Sequence, residues 1–497
     1  SSMKRNYFIK ALTKVTLLAA LVSMGSCKKF LETKQYDRSN EAAFYKTTSD
    51  FEQATIGAYS SLEGLYSSGN FYFLLTDIRS DNTSVYVPGG SAGPLSKSEY
   101  DDFTLTSNNE HLLGYWNISY SLIQKTNDII TFLASANIDQ AKKSQYKGEA
   151  EVLRALTYFN LVRLYGDVPL VLARFNNIDD SYKKGRNTAD EVYAQIIADL
   201  TEAETLLVTN RNTGDNSGRA DKGIAASLLG NVYLTQKKFT EAAAEFKKVI
   251  DMNAYTLMPN YPDLFKSGQQ GNSETIWQAY FLAGVSGLGS SFPNYSAPLN
   301  SESVLIQTGV AFGWNQPTAD IQNAYDMKDV RRNSIADGFT KGGASYPYKY
   351  IKNYVDIAAG TGDGTSGKDW YILRYADVLL MYAEAVNEAV GPANAYSSVN
   401  MVRVRAGLDP LPAGLTKEQF RDAVYLEERR ESPFEGHRWF DLVRTGRALT
   451  VMNSKVKPLS DANTVGLASP IDAHNLLLPI PSIVIEMAPQ VTQNVGY

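Results

Sequence analysis

Apolar residues recur at helical spacing from position 51 onward, as Phe51, Ala54, Ala58, Leu62 and Leu65, with Thr48, Ser49 and Asp50 ahead of them as N-cap residues. The spacing predicts a helix reaching about Tyr66. The period lapses between Ser67 and Asn109, where Gly, Ser, Asn and Asp are mixed with Phe71, Tyr72, Phe73, Tyr86 and Tyr100. Loop regions of that length are uncommon unless they serve a function. Over Glu110 to about Tyr165 the period returns as two long helices, stopped by Gly166 and Pro169.

Leu229-Gly230-Asn231-Val232-Tyr233, followed by Phe239, Ala242, Ala243, Phe246, Val249 and Ile250, has the tetratricopeptide pattern, whose unit is about 34 residues. Gly230 and Ala242 would let two antiparallel helices approach closely, with Tyr233 and Phe246 filling the flanking gaps. A second pair, Tyr375 to Ala389 and Ala393 to Arg405 with a stop at Gly407, fits less closely, and degenerate pairs occupy Glu110 to Tyr165 and Asp190 to Leu207. The expectation is a mostly α protein framed by a short helical solenoid. Between Asn253 and Asp369 the helical period is mostly lost and Gly, Ser, Pro, Asn and Tyr dominate, which predicts a large loop-rich insert on that frame.

The 497 residues are 44% hydrophobic, enough for a large core. A net charge of -5 provides no basic stripe for phosphates, and no recognition-helix or zinc-finger pattern occurs, so nucleic acid is not an expected partner. With one cysteine, Cys27, no internal disulfide can form. Lys4, Arg5, Lys10 and Lys14 make a basic head, Val15 to Val22 an apolar centre, and Met24-Gly25-Ser26 a small-residue exit before Cys27. That order reads as a secretory leader over residues 1–26 ending in a lipobox, with a lipidated tether over 27–40. The apolar centre falls short of the ~20 residues that span a bilayer. Anchoring is therefore expected from acyl chains on Cys27, each buried methylene contributing about 0.8 kcal/mol.

Several charged and glycine-rich strings invite catalytic readings. Glu427, Glu428, Arg429, Arg430 and Glu431, with Glu435, Arg438, Asp441 and Arg444, offer carboxylate pairs of the kind that hydrolyse glycosides. Alternating signs three and four apart point instead to ion-pair ladders along helices. Gly89-Gly90-Ser91-Ala92-Gly93 fits a nucleophile elbow, but Pro94 follows where a helix should begin. Gly362 to Lys368 fits a phosphate loop until Asp369 takes the place of the magnesium-binding hydroxyl. His111, His437 and His474 are too scattered to form a zinc set, and no cofactor is expected; Asp77, Asp81 and Asp101 leave calcium on loop oxygens open.

Five strings resemble one family: RALTYFNLVRLYGDVPL (154–170), LRYADVLLMYAEAVNEA (373–389), VRVRAGL (402–408), LEERRESPFEGHRWFDLVRTG (426–446), and LLPIP with the terminal TQNVGY. In this order they are similar to the SusD/RagB family of outer-membrane nutrient-binding lipoproteins. Ser432-Pro433 and Val495 depart from the family pattern, which bears on a helix boundary and the last turn. The resemblance implies a single SusD-like domain over 41–497, with a helical-repeat part (41–252), the insert (253–369) and C-terminal motifs (370–497). It also implies about four tetratricopeptide-like helix pairs, a ligand site in the irregular half, and a SusC-like TonB-dependent transporter as partner. The implied function is capture of oligosaccharide or polysaccharide without catalysis. Capture of peptides or glycoproteins, and glycoside hydrolysis, are the competing readings.

Glycan recognition needs aromatic faces for the apolar side of a sugar and polar groups for its hydroxyls. Tyr is plentiful, with 31 residues against 20 Phe and 5 Trp. In the first loop region the candidates are Tyr72, Tyr86 and Tyr100, with Arg79, Asp81 and Asn82 as hydrogen-bond partners. In the insert they are Tyr280, Phe292, Tyr295, Phe312 and Trp314, with Asn294, Asn300 and Asn315 nearby. Binding residues of the family lie in variable loops, so no motif transfers them.

Overall fold

The computed structural model describes residues 44–67, 72–85, 95–175, 178–209, 218–285, 287–355, 357, 364–455, 467 and 469–497. Cys27 with its leader and tether, Tyr86, and the Gly89 to Gly93 string lie outside the described residues.

The frame consists of α1 (Thr48–Tyr66), α2 (Glu110–Leu133), α3 (Gln140–Tyr165), α4 (Ala189–Leu206), α5 (Lys222–Thr235), α6 (Phe239–Asp251), α7 (Tyr375–Val390), α8 (Tyr396–Arg405), α9 (Lys417–Glu431) and α10 (Arg438–Arg444). From α1 to α7 each helix packs on its successor, and α7 also holds α8 and α9. This is a mostly α, tetratricopeptide-like stack of helix pairs.

Local chemistry explains these elements. The N-cap of α1 is Thr47, one residue ahead of the expected group: its Oγ accepts from Asp50 N at 3.2 Å, and Asp50 Oδ2 accepts from Thr47 N at 2.7 Å. Beyond Tyr146, α3 is buried on nearly all sides because α1, α2 and α4 cover it. Polar residues on such a helix survive only where partnered, as Arg154 is by Asp199 at 2.7 and 2.8 Å. The helix ends at Gly166, whose φ of 71° suits glycine. In the α5–α6 pair, a Cβ on Gly230 would stand 2.6 Å from Phe246 Cε1, so glycine is required for that approach. Ala242, Phe246 and Val249 form the buried face of α6, as their spacing predicts. The α7–α8 pair begins its second helix at Tyr396 rather than Ala393, because Pro392–Asn394 is a 3-10 turn.

The insert holds short helices and most of the strands: β1 (Thr83–Ser84), β2 (Thr275–Ala279), β3 (Gln316–Pro317), β4 (Ile335–Ala336), β5 (Phe339–Lys341), β6 (Ala344–Tyr346), β7 (Tyr350–Ile351) and β8 (Trp370–Arg374). They pair antiparallel as β1–β3, β2–β8, β4–β7 and β5–β6. β1–β3 joins the first loop region to the insert. β2–β8 joins the insert to the frame, since β8 runs directly into α7. The two halves share one main core, with small satellite clusters under the insert.

The charged C-terminal run departs from the expected ladder. Within it, Arg444 with Asp441 is an i,i+3 pair, at 2.8 Å. Most of the others join elements distant in sequence, many of them in the interior. Arg374, at the end of β8, donates to Glu274 (2.8 Å), Glu431 (2.7 Å) and Glu435 (2.8 Å). Arg331 reaches Asp329, Glu427 and Glu431 at 2.6–2.9 Å, and Arg405 reaches Glu274 and Glu431. Burial works against the ionisation of Glu431, but Arg405, Arg374 and Arg331 outweigh it and hold the carboxyl far below its ordinary range. Ser432 ends α9, bonding to both Arg374 and Asp377. Ser432 is thus part of the network, and Val495 in the last turn is exposed.

Candidate functional site

Three of the insert aromatics come together. The short helix Phe292–Ser296 carries Tyr295, and the segment after Gly309 folds back on it: Phe312 N donates to Asn294 O at 2.8 Å, Gly313 N to Ala297 O at 2.9 Å and Trp314 N to Tyr295 O at 2.8 Å. The rings then stack. Tyr295 and Trp314 have centroids 5.1 Å apart at 20°, and Phe312 and Trp314 4.2 Å apart at 26°. Phe312 and Trp314 are half-buried, so the stack rests on a packed base through Tyr295 and keeps an outer side. Such a set of offset rings can cover the C–H face of a sugar.

Lys97 completes this group, and no periodicity or motif in the loop-rich sequence pointed to it. Its ammonium lies 4.2 Å from the centre of the Trp314 ring and 3.4 Å from His111 Nε2. Burial lowers the Lys97 pKa, and burial followed by the Lys97 charge brings His111 down to about 4. His111 is therefore neutral around pH 7. Of the expected amide partners, Asn294 is buried with its Nδ2 bonded to Thr308 O and Val310 O, and Asn315 is buried as well. Asn300 is exposed, at a left-handed φ of 68°.

Arg79, Asp81 and Asn82 belong to the frame instead of a ligand surface, which corrects the expectation for all three. The Arg79 guanidinium lies 4.4 Å above the Trp439 ring and donates to Asn475 O, and burial pushes its pKa down to about 10. Asp81 receives a bidentate Arg438 at 2.8 and 2.9 Å and Arg429 at 3.0 Å. Asn82 donates to Pro433 O at 2.9 Å and accepts from Arg429 Nε at 2.8 Å. These contacts clamp the first loop region to α9 and α10, so the three side chains are already committed. Tyr72 packs against Tyr66, Tyr115 and Trp370, and Tyr100 Oη donates to Asn109 at 3.1 Å; both are buried.

Tyr280 stands apart from the stack. It packs over Gly218, where a Cβ would lie 2.7 Å from its ring, and lines a cleft of about 700 Å³. Ile56, Tyr59, Glu63, Arg219, Gln278 and Leu282 line it too. Phe292 is also absent from the stack, packed in the core 4.9 Å from Trp370. Among the described residues no group of three or more His, Cys, Asp or Glu is placed to hold a metal ion, and no helix is long and apolar enough to cross a membrane.

Two family models match the chain. One, the SusD family, matches residues 307–497, and the other, described as starch-binding associating with outer membrane, matches residues 29–234. The SusD-like protein P2 of Formosa agariphila is 28% identical, across 94% of this chain and 96% of that protein. Among solved structures, a laminarin binding SusD-like protein superposes with a TM-score of 0.78 at 26% identity, covering 91% of this chain and 100% of that one. Surface glycan-binding protein A from Bacteroides fluxus superposes with a TM-score of 0.79 at 26% identity and the same coverages.

Proposed function

This chain belongs to the SusD/RagB family, and from that premise we propose that it is a cell-surface lipoprotein that captures oligosaccharide or polysaccharide and delivers it to a SusC-like TonB-dependent transporter. The observation that carries this reading is the Tyr295–Phe312–Trp314 stack, held by backbone hydrogen bonds on the irregular half and bordered by the Lys97 ammonium. Rigid aromatic faces lose little conformational entropy on binding, so they suit a flexible polysaccharide. Relatives at 26% identity named for laminarin and for surface glycan binding support the ligand class.

The mechanism is binding and hand-over. A lipid on Cys27 holds the protein at the outer membrane, and a tether of residues 27–40 keeps it beside the transporter. Short tethers raise effective concentration to about the millimolar range, so modest affinity for free glycan suffices. The buried carboxylates are engaged by Arg331, Arg374, Arg405 and Arg444, an arrangement suited to holding α7, α9 and the insert together rather than to hydrolysis.

Calorimetry with oligosaccharide pools against peptide pools tests the reading. Glycan is expected to bind, and the double variant Tyr295→Ala, Trp314→Ala to weaken binding by about tenfold or more. Binding of peptides alone, or turnover of a polysaccharide by the purified protein, would overturn it.

A further inference from the structure

The cleft beside α1 is separate from the aromatic stack. Its wall residue Phe281 packs 6.1 Å from Phe292, the first residue of the short helix bearing Tyr295, and no member of the stack lines it. At about 700 Å³ it falls within the size range of small-ligand sites.

Its lining combines three kinds of group. Tyr59, Tyr280 and Phe281 supply aromatic surface, and Gln270 and Gln278 supply amides. Around the mouth Ile56, Leu282 and Leu288 are 56%, 55% and 43% exposed, an apolar rim left open to solvent. The charged lining residues are Glu52, Glu63 and Arg219. Arg219 is already engaged, bidentate on Glu149 at 2.9 Å and paired with Glu52. Behind the wall, Asp369 accepts from Phe281 N at 2.8 Å. Burial, then the Asp369 charge, pushes Glu63 up to about 7, and burial brings Asp369 to about 7 as well. The cleft therefore presents an acidic group whose ionisation a bound cation would favour, between surfaces suited to a sugar ring.

We propose that this cleft is a second saccharide subsite that takes an amino-sugar unit, with the ammonium directed to Glu63 and the ring covered by Tyr280. It rests on the glycan-capture reading but uses different residues. Aromatic walls and amides alone would accept any sugar, and Glu63 adds the preference for a positive charge.

Calorimetry on the full chain with a β-linked glucosamine hexasaccharide, its N-acetylated counterpart and 1,5-diaminopentane tests the assignment. The glucosamine hexasaccharide is expected to bind about tenfold more tightly than the N-acetylated one, and Glu63→Gln to abolish that preference. Leu288→Trp, which fills the cleft from its exposed rim, is expected to weaken the same ligand, with thermal melting showing both variants folded. Equal affinity for the two hexasaccharides, a preference that survives Glu63→Gln, or diaminopentane binding as tightly as the glucosamine hexasaccharide would overturn it. A neutral glucan titrated against the wild type and the Tyr295→Ala, Trp314→Ala variant reads the aromatic stack separately, so each assignment can fail alone.

Discussion

Arg374 Nη1 stands 2.7 Å from Glu431 Oε1, a buried contact between residues 57 positions apart. Arg331 and Arg405 bind the same carboxylate, so Glu431 ties β8, α8, α9 and the insert at one point. Removing its charge leaves three buried guanidinium groups short of a partner. Glu431→Gln is expected to destabilise the fold by about 3–5 kcal/mol, seen as a lower urea midpoint. Because the folded pKa is depressed, this contribution is present above the ordinary glutamate value and lost as pH falls into the acid range. A variant with the wild-type midpoint would show that the network is dispensable.

Gly230 tests the helix-pair frame. Gly230→Ala drives a methyl into Phe246, and the expected cost is about 1–3 kcal/mol despite the better helix propensity of alanine. Adding Phe246→Leu should recover part of the loss. Calorimetric melting of the single and double variants checks this, and a more stable Gly230→Ala would contradict the close approach.

His111 reports on Lys97. With a folded pKa of about 4 against an ordinary 6.5, the unfolded chain binds the extra proton first, so stability is lost as pH falls through that window. Lys97→Met should move the His111 pKa upward without restoring 6.5, since burial is the larger cause. An NMR titration of the imidazole protons reads the shift, and an unchanged value would sink the coupling.

Glu151 has the opposite sign. Burial first, then Glu202, raises it to about 8, so the folded state holds a proton that the unfolded state releases near 4.5. Stability attributable to this group falls as pH rises from 4.5 to 8. Glu151→Gln should flatten that decline and melt higher than the wild type at the alkaline end. Parallel pH slopes for the two proteins would refute this.

Cys27→Ala should shift the protein from the membrane fraction to the soluble one, because acyl chains are the expected anchor. Persistence in salt-washed membranes would require another attachment.

Residue pattern alone determined the helical frame. Leu229 to Tyr233 with Phe246 specified a close helix pair through one small and two large residues, and Gly166 and Gly407 marked helix ends where they occur. Such signals are local, since period, cap and stop lie within a few turns of each other. The proposed ligand surface is not local. Arg79, Asp81 and Asn82 looked like sugar partners in a polar loop, and only tertiary packing showed them committed to α9, α10 and Asn475. Tyr295 and Trp314 stand out in the sequence as aromatics in an irregular segment, but their stacking depends on backbone bonds that carry no sequence signature. Lys97 reaches Trp314 from more than two hundred positions away. The charged run around Glu431 read as a ladder along a helix because i,i+3 and i,i+4 neighbours are all a sequence can offer. Folding brought Arg331, Arg374 and Arg405 to it from three other elements, since a carboxylate in a buried site needs cations within hydrogen-bonding reach wherever the chain can supply them.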